Sequence, residues 1–177
     1  MIGAIISLVL LIRRASRPHV ASLGRIPGTR RFSDHERHPD NERIPGVLIF
    51  RPESSLMYFN VEHVCDTIRD QVRAVANPPK LVVLDLSAAP YVDMQGAHTL
   101  AGMAGELQAA GVRLRAVEAR SSVRDRLRAE AVDAALGGVN RYTTVADAVE
   151  ASCEETFPAT DRGGSIANTN SNQPTHR

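Results

Sequence analysis

The sequence predicts an α/β fold, a mixed but mostly parallel sheet whose helices lie mainly on one face. Three observations predict it. Between Ile44 and Phe157, short apolar runs of strand length alternate with helical patterns. Such alternation demands a largely parallel sheet with right-handed crossovers. The run Leu81–Leu86 (LVVLDL) is apolar almost throughout, as a central strand buried on both faces must be. The run Val112–Val117 alternates instead, with Val112, Leu114 and Ala116 on one face and Arg113 and Arg115 on the other. A strand of that kind meets a core on one side and water on the other.

The elements follow in order. Val47–Phe50 and Leu56–Phe59 are short strands, and Pro52, Glu53, Ser54 and Ser55 between them supply a turn, so a hairpin is expected. Asn60 serves as a helix N-cap. Val61, Val64, Cys65, Ile68, Val72 and Val75 recur at helical spacing until Asn77-Pro78-Pro79 stops the helix. After the central strand, Asp93 to Ala110 reads as a helix with Ala97, Leu100, Ala101, Ala104 and Leu107 inward and Gly111 at its end. Ser122 with Asp125 is a capping box for a third helix reaching Leu136, and Gly137-Gly138 ends it. Val139–Tyr142 is a short last strand. Thr144 with Asp147 is a second capping box, opening a helix to about Glu155.

At 177 residues the chain is one domain plus extensions. It divides into residues 1–12, 13–43, 44–157 and 158–177. The run Ile2–Ile12 (IGAIISLVLLI) has about half the roughly 20 apolar residues that a bilayer span needs. Arg13 and Arg14 follow it, and arginines just past an apolar helix mark its cytoplasmic end. The economical reading is the end of a truncated transmembrane helix; a short leader packed on the domain is the alternative. Residues 13–43 form a basic linker. They carry Pro18, Pro27, Pro39, Gly24 and Gly28 and no hydrophobic periodicity. Its arginines outnumber its acids, so it either lies along anionic head groups or is a solvated tether. Residues 158–177 are rich in Gly, Asn, Ser and Thr and show no pattern, hence a disordered tail is expected.

Composition and motifs exclude most chemistry. With no Trp and 4% aromatics, the core must be aliphatic. A net charge of +1 supplies no field for nucleic acid. The arginines from Arg113 to Arg128 are interleaved with Glu118 and Asp125 and lack stacking partners, which reads as a solvated face. Cys65 and Cys153 sit in helical patterns as reduced thiols. There is no phosphate loop and no nucleophile elbow. His35-Glu36-Arg37-His38 is one residue short of a zinc-protease motif, and Pro39 breaks any helix there. No catalytic residue, cofactor or metal is assigned, and no enzyme is expected.

One segment stands out. Leu81 to Leu107 (LVVLDLSAAPYVDMQGAHTLAGMAGEL) runs from a buried strand through Asp85-Leu86-Ser87 and a short loop to a helix capped by Asp93, with Gly96 in its first turn. Asp at that cap accepts free amides and matches the positive helix end. Gly96 permits close approach of whatever lies over the turn. The segment is either a well-made strand–loop–helix junction or a surface for a partner.

The segment resembles the D-x-S, loop, D-x-x-G signature of STAS domains, found in sulfate transporters and in anti-sigma-factor antagonists. The stretch IFRPESSLMYFNVEHVCDTI is similar to the sulfate-permease branch, where an R-x-x-x-x-L-x-F-x-N pattern runs into the first helix. Pro27-Gly28-Thr29-Arg30-Arg31-Phe32 resembles the permease linker. The resemblance implies a sheet of four or five strands with about four helices mainly on one face. It also implies a regulatory module on the cytoplasmic side of a membrane-bound anion transporter. Expected partners are the membrane half of that transporter, the bilayer through residues 2–12 and the linker, and a second copy as a homodimer. The alternative is a free-standing interaction module of the antagonist type. In that branch a Ser or Thr just before the motif glycine is phosphorylated. The matching position here is Gln95, preceded by Met94, and neither accepts phosphate. The expected interaction surface is Ser87, Asp93, Met94, Gln95 and Gly96.

Overall fold

The structure, a computed structural model, describes residues 2–156; the expected tail lies outside them. The chain runs α1 (Ile2–Ser16), β1 (Val20–Arg25), β2 (Phe32–Asp34), β3 (Val47–Pro52), α2 (Val61–Ala74), β4 (Leu81–Asp85), α3 (Met94–Ala109), β5 (Arg113–Val117), α4 (Ser121–Ala129) and α5 (Val145–Thr156). The five strands form one mixed sheet in the order β2-β1-β3-β4-β5. The β3–β4 and β4–β5 pairs are parallel, and β1 pairs antiparallel with both β2 and β3.

Every residue of β4 is buried, because helices cover both faces of the strand. Val82, Leu84 and Leu86 face a core shared with Val64, Ile68, Leu100, Met103, Val123 and Leu127 of α2, α3 and α4. Leu81 and Val83, alternating with them, face Val145, Ala148 and Val149 of α5. Three helices on one side and one on the other give the uneven layering that the half-polar β5 implied.

Four expectations are corrected. First, residues 13–43 are not a mere linker. They contain β1 and β2, and β1 buries Val20, Ala21 and Leu23 inside the sheet. The strand escapes sequence reading because Ser22 and Gly24 interrupt its apolar pattern. Gly24 is there for packing: a Cβ would stand 2.8 Å from that of the buried Asn41. The sheet therefore begins at Val20, well before Ile44.

Second, Val47–Phe50 and Leu56–Phe59 do not form a hairpin. β3 pairs with β1, and Leu56 makes only an isolated parallel bridge to Val92. Asn60 rolls the segment into a turn by accepting the Met57 amide on Oδ1 at 2.8 Å. It stands before α2, yet its side chain makes no cap bond to the helix. Third, α4 starts at Ser121 without a side-chain cap and ends at Ala129 rather than Leu136. Ala131 adopts a left-handed φ of 55°, which breaks the helix. Fourth, Val139–Tyr142 is not a strand. The Asn140 side chain accepts the amides of Tyr142 and Thr143, closing a turn. The edge of β5 is met instead by Leu136, whose carbonyl accepts the Ala116 amide.

The second capping box forms as its spacing requires. Thr144 donates to Asp147 through amide and hydroxyl, and the Asp147 amide donates back to the Thr144 hydroxyl. α1 is different in kind. Ile5, Ile6 and Leu8 through Ile12 are all exposed. Among the described residues no helix is long and apolar enough to cross a membrane.

Candidate functional site

The site is built at the first turn of α3. Asp93 stands at its N-cap in extended conformation, and Oδ1 accepts the Gly96 amide at 2.6 Å. Its other oxygen is also engaged, accepting the Tyr58 amide at 2.9 Å. The Asp93 amide donates to the Leu56 carbonyl, and the Leu56 amide donates to that of Tyr91. The segment from Leu56 to Asn60 is thus strapped across the start of α3. Gly96 makes this approach possible, because a Cβ there would lie 2.7 Å from the Leu56 oxygen. Leu56 itself is fully buried and anchors the strap to the core.

The strap reaches α1 as well. Asn60, buried, donates from Nδ2 to the Ser55 carbonyl at 3.0 Å and to the Ala15 carbonyl at 3.4 Å. The last turn of α1 therefore sits beside the strap, two residues from Tyr58.

Of the expected surface residues, Asp93 to Gly96 come together here. Asp93 points inward, both oxygens spent on backbone amides, and Gly96 is buried. Met94 is 58% exposed, and Gln95 is exposed, with a long bond to the Thr99 hydroxyl at 3.4 Å. The bonded segments also carry exposed aromatic residues that no sequence motif marks. Tyr58 is 70% exposed, Tyr91 45% and Phe59 40%, and the Tyr58 and Phe59 rings meet edge to face at 5.4 Å. For Tyr58 and Phe59 the signal is an aromatic pair inside an expected strand that has no sheet partner among the described residues; Tyr91 gives none.

Ser87 belongs to different surroundings. Its amide donates to Asp85 Oδ1 at 2.9 Å. With Arg31, Arg51, Asp85, Glu118 and Thr144 it lines a hollow of about 420 Å³ on the α5 side of the sheet. The Asp85 carboxylate is buried, and Oδ2 takes both Nε and Nη2 of Arg51 at 2.8 Å. The pair ties the end of β3 to the end of β4. Over the hollow, Arg30 reaches from the β1–β2 turn to Glu150 and Asp147 of α5. Its pKa is raised, first by the hydrogen bond to Glu150. The Asp147 carboxyl is lowered, chiefly by the Thr144 amide and hydroxyl.

Other charged groups are absorbed by structure. Burial works against the charge of Arg69, but bonds to Glu106, Glu62 and Asp66 more than offset it, and its pKa rises. In the Arg113 to Arg128 stretch, Arg124 donates to the Ala119 carbonyl, Arg126 pairs with Glu130, and Arg128 reaches the Val139 carbonyl. His35 accepts Arg43 Nε on Nε2. Among the described residues no group of three His, Cys, Asp or Glu side chains could hold a metal ion.

The chain matches known proteins in sequence and in fold. The family model described as the STAS domain matches residues 38–148. Sulfate transporter 1.2 of Arabidopsis thaliana is 29% identical over 161 residues, covering 86% of this chain and 25% of the relative. The chain thus spans about a quarter of the length of the curated relatives it matches. Among the solved structures that share the fold are two of transporters or their domains. The murine Solute Carrier 26 family member A9 anion transporter superposes with a TM-score of 0.72 at 18% identity, over 86% of this chain and 25% of that one. The STAS domain of a SulP transporter from Vibrio cholerae does so at 0.56 and 18% identity, over 70% of this chain and 93% of that one. With the family model covering most of the sheet and the strapped turn of α3 at its centre, the chain belongs to the STAS domain family.

Proposed function

We propose that this chain is a non-catalytic regulatory domain of a sulfate-type anion transporter, held on the cytoplasmic side of the membrane. Its working surface is the exposed part of the turn at Met94 and Gln95. One observation carries the reading. The turn is fixed by the Asp93 bonds to Tyr58 and Gly96, and it lies beside the end of α1. A rigid surface next to a membrane-directed helix suits contact with the membrane half of the same protein. Support for α1 as the cytoplasmic end of a membrane helix comes from its exposed apolar residues and from the exposed Arg13 and Arg17 after them. Gln95 in the place of a phosphorylatable residue weighs against the antagonist type of module.

The test uses the transporter that carries this domain. Gln95→Glu adds one negative charge to the exposed turn. Cross-linking between the domain and the membrane half should weaken and anion flux should change, with the melting temperature of the domain unaltered. Wild-type cross-linking and flux in that variant would remove the turn from the interface.

A further inference from the structure

We propose that Tyr58, Phe59 and Tyr91 form an interfacial patch that rests in the lipid headgroup layer beside the end of α1. The inference rests on the reading of α1 as a membrane-directed helix and adds a second, separate contact with the bilayer.

Three observations meet here. Tyr58, Phe59 and Tyr91 are exposed, the Tyr58 and Phe59 rings touch, and the Leu56 bond to the Tyr91 carbonyl and the Tyr58 bond to Asp93 bring the two backbone segments together. Leaving them in water is unfavourable, and no described element covers them. Next, Asn60 holds the Ala15 carbonyl, so the patch stands within a few residues of the point where α1 leaves the domain. That point follows Ile12 by one turn and carries the exposed Arg13 and Arg17. Arginines there, after a helix that exposes Ile5, Ile6 and Leu8 through Ile12, sit at headgroup level and favour anionic lipid. The patch, tied to the same turn, lies at a similar depth.

The third observation is chemical. Tyr58 and Tyr91 each pair an apolar ring with a polar tip, which suits a boundary that is apolar on one side and wet on the other. Asp93, which joins the two segments, has its carboxylate bonded to the Tyr58 and Gly96 amides, which draws its charge toward the positive end of α3. Rigidity matters too. A patch on a strapped turn anchored by buried Leu56 loses little freedom on binding.

The chain has no Trp, so a single introduced Trp gives an unmixed signal. The full chain is prepared as Tyr58→Trp, Tyr91→Trp, Leu8→Trp in α1, and Gln108→Trp on the exposed last turn of α3. Gln108 lies about 20 Å along the helix from Met94. Each variant is mixed with phosphatidylcholine–phosphatidylglycerol vesicles, with and without bromine-labelled acyl chains. Tyr58→Trp and Tyr91→Trp are expected to shift to the blue and to be quenched by bromine, and Gln108→Trp to keep its lipid-free emission. Replacing Tyr58 and Phe59 by Ser should weaken vesicle binding about tenfold, from the lost apolar area. Quenching of Leu8→Trp without any change at positions 58 and 91 overturns the patch and leaves the reading of α1 intact. No quenching at any of the three positions overturns both. Shielding of position 58 seen only in the whole transporter, and never on vesicles, overturns the lipid assignment in favour of a protein partner.

Discussion

The carbonyl oxygen of Leu56 lies 2.7 Å from the place where a Cβ on Gly96 would stand. Two forces therefore act oppositely on Gly96→Ala. Helix propensity favours Ala over Gly by about 1 kcal/mol. The clash is with backbone already bonded to Asp93, so it cannot be relieved by a side-chain rotation. Overpacking of this kind costs about 1–3 kcal/mol and should win. Gly102 in the same helix is the control, since a Cβ there meets nothing within 4 Å. Gly96→Ala is expected to lower the urea midpoint, and Gly102→Ala to raise it.

Asp93 does more than cap. A cap alone is worth about 1 kcal/mol, but this carboxylate also holds the Tyr58 amide across the strap. Asp93→Ala should therefore cost about 2 kcal/mol in urea unfolding. It should also raise hydrogen exchange at the Tyr58 and Gly96 amides. Protection at Tyr58 unchanged from wild type would show that the strap is held by other bonds.

Much of the fold was legible because periodicity alone carried it. β4 is an unbroken apolar run, α2 repeats at helical spacing, and the Thr144–Asp147 box reads directly from its two residue types. What failed depended on partners distant in sequence. β1 takes its identity from β3, not from its own pattern, and Leu56–Phe59 lacked a partner strand. Ser122 and Asp125 matched a capping box that the backbone does not use. At the site, Asp93 and Gly96 were readable as a cap and a close approach. That the approaching group is Leu56 depends on tertiary packing, and so does the exposure of Tyr58 and Tyr91.

The sheet gives the N-terminal segment a sharp division. α1 leaves its apolar residues in solvent, but β1 lies between β2 and β3 and buries Val20, Ala21 and Leu23. Deleting residues 1–16 should leave a cooperatively unfolding domain of nearly unchanged midpoint. Deleting residues 1–43 removes two strands and uncovers an edge of β3. That protein is expected to lose its cooperative transition in thermal and urea scans. A cooperative fold without β1 would mean that the sheet closes on β3 unaided.

The two thiols should behave oppositely. Burial pushes the Cys65 thiol up to about 12, whereas Cys153 is exposed. A thiol reagent at neutral pH is expected to modify Cys153 quickly and Cys65 only on unfolding. The raised value also carries a stability consequence. The folded state keeps the Cys65 proton where the unfolded chain releases it, above about pH 8.5. This contribution is whole below that pH and is lost as pH rises toward 12. Cys65→Ala, though less stable overall, should lose less stability than wild type between pH 8.5 and 10.

A buried ion pair closes the end of β4. Asp85 has 2% of its side chain exposed and Arg51 27%. Arg51→Ala would leave a buried carboxylate with the Ser87 amide as its remaining described partner. Removing one member of a buried pair costs about 3–5 kcal/mol, and the lower end is expected here because Arg51 is partly solvated. Replacing both members by apolar residues of similar volume is often nearly neutral. Arg51→Met with Asp85→Leu should therefore recover most of the stability lost in Arg51→Ala. Measured by urea unfolding, that recovery would assign the pair a role in joining β3 to β4 at the hollow rather than in net stabilisation. A double variant as unstable as the single one would instead show that the Asp85 bond to the Ser87 amide holds the loop into α3 in place.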